Sequence, residues 1–265
     1  IWTRVLGYDM RRRHGRGLLA ARYFSQVDFP RVREANLTGA LWSITTNPLR
    51  TAGGRAAAFG RNLKALKDIC AAAGEQVELV RDVTTYRAAR ARGKHAAFIA
   101  IQGGNALDRD EAALSALEDG AVVAVTLMHL SNSSLGATSS PLARGPRGLT
   151  AYGHRYIERL NELRVFVDLA HISRQGCFEA LQTHDSSQPL LVTHTGVCGV
   201  HQSWRNVDDE QLRAVAETGG VIGVIFHGGF LGSGYWDGGQ AARIVDHLEH
   251  IVAVVGEDHA ALGSD

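Results

Sequence analysis

The sequence predicts a single α/β domain, residues 1–265, folded as a (β/α)8 TIM barrel. Short apolar segments alternate with longer amphipathic ones, and this alternation repeats seven or eight times within 265 residues. Near-continuous apolar segments are typical of parallel strands that are covered on both faces. That number of strand–helix units in a chain of this length suits a closed barrel better than a doubly wound sheet. No GxGxxG motif follows an early strand, which also argues against a dinucleotide-binding fold.

The apolar segments define eight strands in chain order. They are residues 38–44, 77–80, 96–101, 121–128, 165–170, 190–193, 221–226 and 260–262. Helical patterns lie between them, at residues 55–73, 86–92, 111–118, 151–163, 175–182, 209–217 and 241–255. Strand followed by helix implies a parallel sheet with the helices outside. Residues 131–148 are rich in Ser, Gly and Pro, and we predict a long functional loop there.

Composition narrows the class of protein. Hydrophobic residues make up 45% of the chain and charged residues 21%, as in globular proteins with a substantial core. The net charge of +1 does not favour a nucleic-acid partner. The one basic cluster, residues 11–14 with Arg16, is interpreted as a solvated loop in preference to a phosphate site. No apolar segment has the roughly 18 residues that a membrane span needs.

The three cysteines, Cys70, Cys177 and Cys198, form no CxxC pair. We therefore interpret them as scattered core residues and not as a disulfide framework or a thiolate metal site. This usage mildly favours a reducing compartment, and a cytoplasmic location is expected.

Six successive strands are each followed by a polar residue that could bind a metal or a substrate. These residues are Gln102, His129, His171, His194, His227 and Asp265. The carboxyl ends of barrel strands converge on one face, where active sites are built. A single histidine after a strand is more often structural, but four histidines and an aspartate at equivalent positions are not easily explained that way. Neutral imidazoles and carboxylates are zinc ligands. The pattern therefore predicts a barrel of the metal-dependent hydrolase type.

At these residues the chain resembles the membrane (renal) dipeptidase family, also called peptidase family M19, whose members are amidohydrolase-like metal-dependent hydrolases. The similar motifs occur in family order over most of the chain. They are residues 27–33, 39–43, 102–104, 126–129 with Asn132, 149–150 with Gly153, 161–163, 168–173, His194, 205–209, 246–251 and 263–265.

The resemblance implies hydrolysis of the peptide bond of dipeptides by a metal-activated water at the carboxyl face of the barrel. It implies two zinc ions, one of them held by His171 and His194, with Gln102 at the position of a bridging glutamate. The catalytic residues would be Asp265, as acid and base, and His129, which would also contact the substrate and polarise the scissile carbonyl.

The resemblance also assigns residues to the substrate. Arg205 would bind the substrate carboxylate with its planar fork of donors, the alternative being a surface ion pair. Asn132 is a further candidate for substrate binding. His227 has no clear family counterpart, so substrate contact and simple packing are both open. His247 and His250 are interpreted as structural, and a homodimer is expected from the family.

Three features depart from the family pattern. The His-x-Asp pair of the first family strand is absent, so we expect the domain to lack that motif at its N-terminus and the residues after the last strand. Gln102 replaces a carboxylate that bridges two cations, and an amide offers only one neutral oxygen. This loss suggests either a site with one metal or a loss of catalysis. Asn105 replaces a residue that is often histidine, so the substrate pocket is expected to differ.

Two other functions are compatible with the sequence. One is hydrolysis of another small substrate, such as a lactone, an N-acyl amino acid or a carbamoyl compound. The other is a non-catalytic barrel with a degraded metal site that binds a small ligand or a partner. Gln102 supports the second alternative. The intact residues that argue against it are His171, His194, Arg205 and Asp265.

Overall fold

A computed structural model describes residues 7–15, 26–108, 111–141, 143–233 and 240–265. Its sheet contains eight strands, one at each predicted position. They are β1 (Gly39–Thr45), β2 (Val77–Leu79), β3 (His95–Gln102), β4 (Val122–Thr126), β5 (Phe166–Asp168), β6 (Leu191–Thr195), β7 (Val221–Val224) and β8 (Ala260–Leu262). Arg16, one member of the predicted basic cluster, lies outside the described residues.

All strand pairs in this sheet are parallel, as predicted. The order is β1-β3-β4-β5-β6-β7-β8, and β2 also pairs with β3, at residues 95–97. Within the described part of the chain, β1 and β8 are the two ends of this order. Because every strand runs in the same direction, all the carboxyl ends lie at one edge of the sheet. The predicted barrel architecture is confirmed, and this edge carries the candidate site.

Eight α-helices are described around the sheet. They are α1 (Phe29–Glu34), α2 (Ala52–Ala72), α3 (Val83–Ala91), α4 (Ala151–Glu162), α5 (Arg174–Thr183), α6 (Asp209–Glu217), α7 (Gly228–Leu231) and α8 (Gln240–Val255). Six of them match predicted helices within a few residues, whereas α1 and α7 were not predicted. Among the described residues, no helix combines the length and the apolar character needed to cross a membrane.

One predicted helix is wrong in type. Residues 111–118 were expected to form an α-helix, but Glu111–Leu117 is a 3-10 helix. Leu114 and Leu117 are both buried there, at 0% and 1% exposure. Their spacing of three places them on one side of a helix with three residues per turn, so packing of these leucines agrees with the tighter geometry.

The main core lies between the sheet and the helices. β4 is buried along its whole length, and Ile101, Val167 and Ile222 are fully buried in β3, β5 and β7. Tyr156, Ile157 and Leu160 of α4 belong to the same apolar cluster. Cys70 and Cys177 are buried and Cys198 is partly buried, all three as free thiols. The interpretation of the cysteines as core residues thus holds for two of the three.

Two glycines let β7 and β8 approach β6 closely. A Cβ atom added to Gly263 would lie 1.8 Å from the carbonyl oxygen of Thr193, and one added to Gly223 would lie 2.2 Å from the same oxygen. These contacts involve backbone, so they cannot be relieved by moving a side chain. The polypeptide just before Asp265 therefore requires glycine for its position beside His194.

We expect Gly263→Ala to lower the free energy of unfolding by roughly 2–3 kcal/mol, because the new methyl group forces β8 away from β6. Urea denaturation would measure the change. Gly60→Ala is the matched control, since Gly60 lies in α2 with nothing within 4 Å of its added Cβ. That substitution should raise stability by about 0.5–1 kcal/mol. Equal effects of the two variants would show that the close approach at Gly263 is not important.

Candidate active site

Four polar side chains meet at the carboxyl edge of the sheet. The Nε2 atoms of His171 and His194 are 2.8 Å apart. The amide nitrogen of Gln102 lies 3.4 Å from His171 Nε2 and 3.2 Å from His194 Nε2. It also donates a hydrogen bond of 3.3 Å to Oδ1 of Asp265, an oxygen 3.8 Å from His194 Nε2. The structure thus brings together four of the six predicted strand-end residues, here called the central cluster.

The elements around the central cluster explain its position. Gln102 ends β3, and His194 lies within β6, one residue further along than the predicted end of that strand. His171 follows β5, and Ser173 then begins α5 by accepting a hydrogen bond from the backbone N–H of Gly176. This cap restricts the segment between β5 and α5 to a few residues. The histidine is therefore held on a short connection between two regular elements.

His171 has an unusual backbone conformation. Its φ angle is +68°, in the left-handed region that residues with a Cβ rarely adopt. Such a conformation costs on the order of 1–3 kcal/mol and is often found at functional sites. His171 is buried at 5% exposure, and its Nδ1 has no hydrogen-bond partner among the described residues. This strain is compatible with a side chain that is held in place for binding.

Burial favours neutral histidines in the site. The pKa values of His171 and His194 are lowered, first by burial and then by the positive charge of Arg205. Burial also lowers the pKa of His129, whose ring centroid is 4.9 Å from that of His171. A neutral imidazole keeps a lone pair on one nitrogen, which is the form that binds a metal.

The predicted long loop forms hydrogen bonds to the backbone of both His129 and His171. As far as it is described, the loop between β4 and α4 contains isolated bridges but no helix or longer strand. The hydroxyl oxygen of Thr138 is 2.6 Å from the carbonyl oxygen of His129 and 2.9 Å from that of His171. The backbone N–H of Ser139 donates to the same His171 carbonyl at 2.7 Å. The loop thereby fixes the two histidines relative to each other.

Arg205 is buried at 3% exposure, which rules out the alternative of a surface ion pair. Its Nη2 donates a hydrogen bond of 2.6 Å to the carbonyl oxygen of His194. Its Nε is buried and has no hydrogen-bond partner in the described part of the chain. Burial lowers its pKa to about 10, so the side chain is still charged at neutral pH. A buried cation with an unused donor beside the central cluster is suited to bind an anionic group.

Asn132 is engaged within the long loop. Its amide nitrogen donates to the carbonyl of Arg144 at 2.8 Å, and its amide oxygen accepts from the N–H of Thr138 at 3.0 Å. The side chain thus shapes the loop that fixes His129. The role of Asn132 in substrate binding stays a prediction.

The other candidates also have defined surroundings. His227 follows β7 and stacks on Phe230, with ring centroids 4.5 Å apart; its contact with substrate stays a prediction. Asn105 lies at a small polar pocket with Arg55 and Asp108. His247 accepts the backbone N–H of Val197, as expected of a structural residue.

The side chains of the central cluster fit part of a metal shell. The Nε2 atoms of His171 and His194 face each other, and the carboxylate of Asp265 and the amide of Gln102 lie beside them. Among the described residues, however, no three His, Cys, Asp or Glu side chains are grouped closely enough to enclose a metal ion. His171 and His194, with Asp265 and the Gln102 amide oxygen after rotation of that amide, would be the ligands of a single ion. The described residues do not supply a second set.

Comparisons with known proteins agree with this fold and identify a family. The sequence model of the family described as membrane dipeptidase (peptidase family M19) matches residues 8–265. An uncharacterised dipeptidase of Schizosaccharomyces pombe is 31% identical over 178 residues, which are 66% of this chain and 42% of that protein. An uncharacterised protein of Klebsiella pneumoniae, from the region 5′ of pqqA, is 36% identical over 126 residues, 46% of this chain and 44% of the relative. The chain thus spans less than half the length of these two curated relatives.

Solved structures share the fold. A dipeptidase described as a metallo peptidase of family M19 superimposes with a TM-score of 0.79 at 23% identity, covering 90% of this chain and 75% of the other. A metallo peptidase from Rhodobacter sphaeroides, liganded with a phosphinate mimic of the dipeptide L-Ala-D-Ala, gives a TM-score of 0.79 at 22% identity, with 90% and 76% covered. At this level of identity the similarity establishes the barrel fold.

Proposed function

Because the chain belongs to the membrane dipeptidase family, we propose that it hydrolyses the peptide bond of dipeptides with a zinc ion held by His171 and His194. The observation that carries this proposal is the convergence of the two Nε2 atoms, 2.8 Å apart, at the carboxyl edge of the sheet. Family membership supports a small peptide as substrate. The buried cation of Arg205 beside these histidines supports a substrate with a free carboxylate.

Each residue has a defined task in this proposal. Zinc, when bound, would supply Lewis acidity and lower the pKa of a water molecule to about 7. Arg205 would bind the carboxylate of the dipeptide and so orient the scissile bond relative to the histidines. His129, neutral and beside His171, would contact the substrate carbonyl. Asp265 has a side chain 39% exposed, so one of its oxygens would bind the zinc while the other would accept a proton and exchange it with solvent.

We propose one zinc ion per chain. A carboxylate at position 102 could bridge two cations, whereas the amide of Gln102 offers one neutral oxygen. That oxygen accepts a hydrogen bond of 3.2 Å from the hydroxyl of Thr45 in the structure. Loss of the negative charge weakens a paired-metal site more than a single-metal site, because two divalent cations repel each other. The predicted homodimer and the cytoplasmic location stay predictions.

A second function is favoured by one observation: a metal-free barrel that binds a small carboxylate ligand. The Gln102 amide nitrogen faces three acceptors, namely Nε2 of His171, Nε2 of His194 and Oδ1 of Asp265. The two hydrogens of this neutral NH2 group can be donated to two of these three acceptors, which a cation would otherwise use. In this alternative Arg205 would still bind the ligand, but no hydrolysis would follow.

Zinc content and dipeptide hydrolysis, measured on the same samples of the wild type and of Gln102→Glu, test the proposal. We expect about one zinc per wild-type chain with turnover, because two neutral imidazoles and a carboxylate complete three positions of a catalytic site. Gln102→Glu should bind zinc more tightly. Its new carboxylate would lie beside that of Asp265, and a bound cation would relieve the repulsion between the two negative charges. Gln182→Glu, an exposed change of the same charge on α5, is the control and should leave both values unchanged.

Different results separate the alternatives. Two zinc ions per wild-type chain, with turnover, would contradict the single-metal proposal but keep the dipeptidase. Zinc and turnover only in Gln102→Glu would favour the metal-free barrel for the wild type. If neither protein binds zinc or hydrolyses dipeptides, the enzymatic proposal is wrong.

A further inference from the structure

A buried carboxylate joins the strands that carry the two histidines. Asp168 ends β5 and is 0% exposed. Its Oδ1 accepts the backbone N–H groups of Ala170 at 3.1 Å and Thr193 at 2.9 Å. Its Oδ2 accepts the hydroxyls of Thr126 and Thr193, the second at 2.6 Å. Four donors satisfy both oxygens, which allows the carboxylate to be buried without a cation.

The hydroxyl of Thr193 connects this carboxylate to His194. A threonine hydroxyl has one hydrogen, and at Thr193 this hydrogen is donated to Asp168. Its oxygen lies 2.9 Å from Nδ1 of His194. Because the hydrogen of this hydroxyl is already used, the short contact requires Nδ1 of His194 to carry the proton. In a neutral imidazole the lone pair is then on Nε2, the atom that faces His171 and Gln102.

We propose that Thr193, oriented by Asp168, is a positioning residue that holds His194 in the Nδ1-protonated tautomer and thereby presents Nε2 as a metal ligand. This proposal rests on the proposed function only in its last step, the binding of zinc. The tautomer itself follows from hydrogen bonds in the metal-free protein. Groups behind a ligating histidine fix its ring and increase its basicity, and their loss typically lowers metal affinity 10–100-fold.

A purely structural role of this network is the competing explanation, because Asp168 also ties β4, β5 and β6 together. The chain contains its own control for that role. Thr126 donates to the same Oδ2 atom from β4, but the hydrogen bonds of its hydroxyl do not include His194 in the described structure. Thr126→Val and Thr193→Val therefore each remove one buried hydroxyl from Asp168, and only the second removes the partner of His194 Nδ1.

The experiment compares Thr193→Val, Thr193→Ser and Thr126→Val with the wild type. Zinc affinity is measured by competition with a chromophoric chelator, unfolding by urea, and the His194 tautomer by ¹⁵N NMR of the metal-free protein. We expect both valine variants to be destabilised to a similar degree. Thr193→Val should bind zinc about 10–100-fold more weakly and lose the single Nδ1-protonated form. Thr193→Ser should behave as the wild type, because it keeps the hydroxyl.

Two results would overturn the proposal. One is an unchanged His194 tautomer in Thr193→Val. The other is an equal loss of zinc affinity in Thr126→Val, which would mean that the network acts only through stability. Failure of the proposed function gives a different pattern: no dipeptide hydrolysis in any protein, while Thr193→Val still alters the tautomer of the metal-free chain.

Discussion

Replacing His194 with alanine is expected to abolish stoichiometric zinc binding and to reduce dipeptide hydrolysis by roughly 10³-fold or more, since Lewis-acid stabilisation contributes several kcal/mol to the barrier. His194 is buried at 5% exposure, and its Nε2 is the central atom of the cluster. With alanine there, His171 has no second imidazole beside it. One nitrogen ligand with Asp265 and the neutral amide oxygen of Gln102 would bind the ion too weakly to retain it.

His171→Ala should produce the same loss, because each histidine supplies half of the nitrogen ligands. His154→Ala is the matched control: this histidine lies on α4 and its Nδ1 contacts the Thr183 hydroxyl at 2.6 Å, away from the central cluster. Zinc content, circular dichroism and hydrolysis are measured for all three proteins. A His194→Ala protein that is folded and retains both zinc and turnover would remove these histidines from the proposed mechanism.

The positions of the strands could be predicted because a parallel sheet covered on both faces needs continuous apolar segments. All eight segments, from residues 38–44 to 260–262, overlap a strand of the structure. The convergence of Gln102, His171, His194 and Asp265 followed from the same pattern, since each residue comes at or just after the carboxyl end of a strand. The position of each polar residue after an apolar segment, together with the rule that the carboxyl ends of parallel strands lie at one edge, was sufficient to predict this part of the site.

Short helices were harder to predict from the sequence. Asp28 and Pro30 are a cap and a first-turn proline, the usual signals of a helix start, and the Asp28 side chain accepts the N–H of Arg31 at the beginning of α1. The helix Phe29–Glu34 has only six residues, too few for a helical period to be visible. The signal is present in the sequence, within residues 27–33, a segment that also resembles a family motif.

The support of the histidines could not be predicted from the sequence. Asp168 appears in the sequence as one polar residue in an apolar strand. Its role depends on Thr126 and Thr193, which come from the strands on either side of it. Which hydroxyl faces which carboxylate is decided by register between strands, and sequence periodicity carries no information about register of this precision. The burial of Arg205 depends in the same way on tertiary packing.

Arg205→Met is expected to raise KM for dipeptides by on the order of 10²-fold, because breaking a buried charge pair costs about 2–5 kcal/mol. The guanidinium of Arg205 is buried, charged and short of one hydrogen-bond partner at Nε. The substrate carboxylate would supply that partner. Arg205→Lys should recover only part of the loss, since a lysine provides a point charge without the planar fork.

The decisive measurement for Arg205 compares the hydrolysis of a dipeptide with the hydrolysis of its C-terminal amide. Both rates are measured for the wild type, Arg205→Met and Arg174→Met. In the wild type, the amide should be a much poorer substrate, since the neutral group cannot pair with the guanidinium. In Arg205→Met, the difference between the two substrates should nearly disappear, because the partner of the carboxylate is gone. Arg174→Met removes an exposed arginine that is paired with Asp208 and Glu210, and it should preserve the discrimination. If Arg205→Met discriminates between acid and amide as strongly as the wild type, the carboxylate is bound elsewhere, and the buried arginine serves to hold the carbonyl of His194 in place.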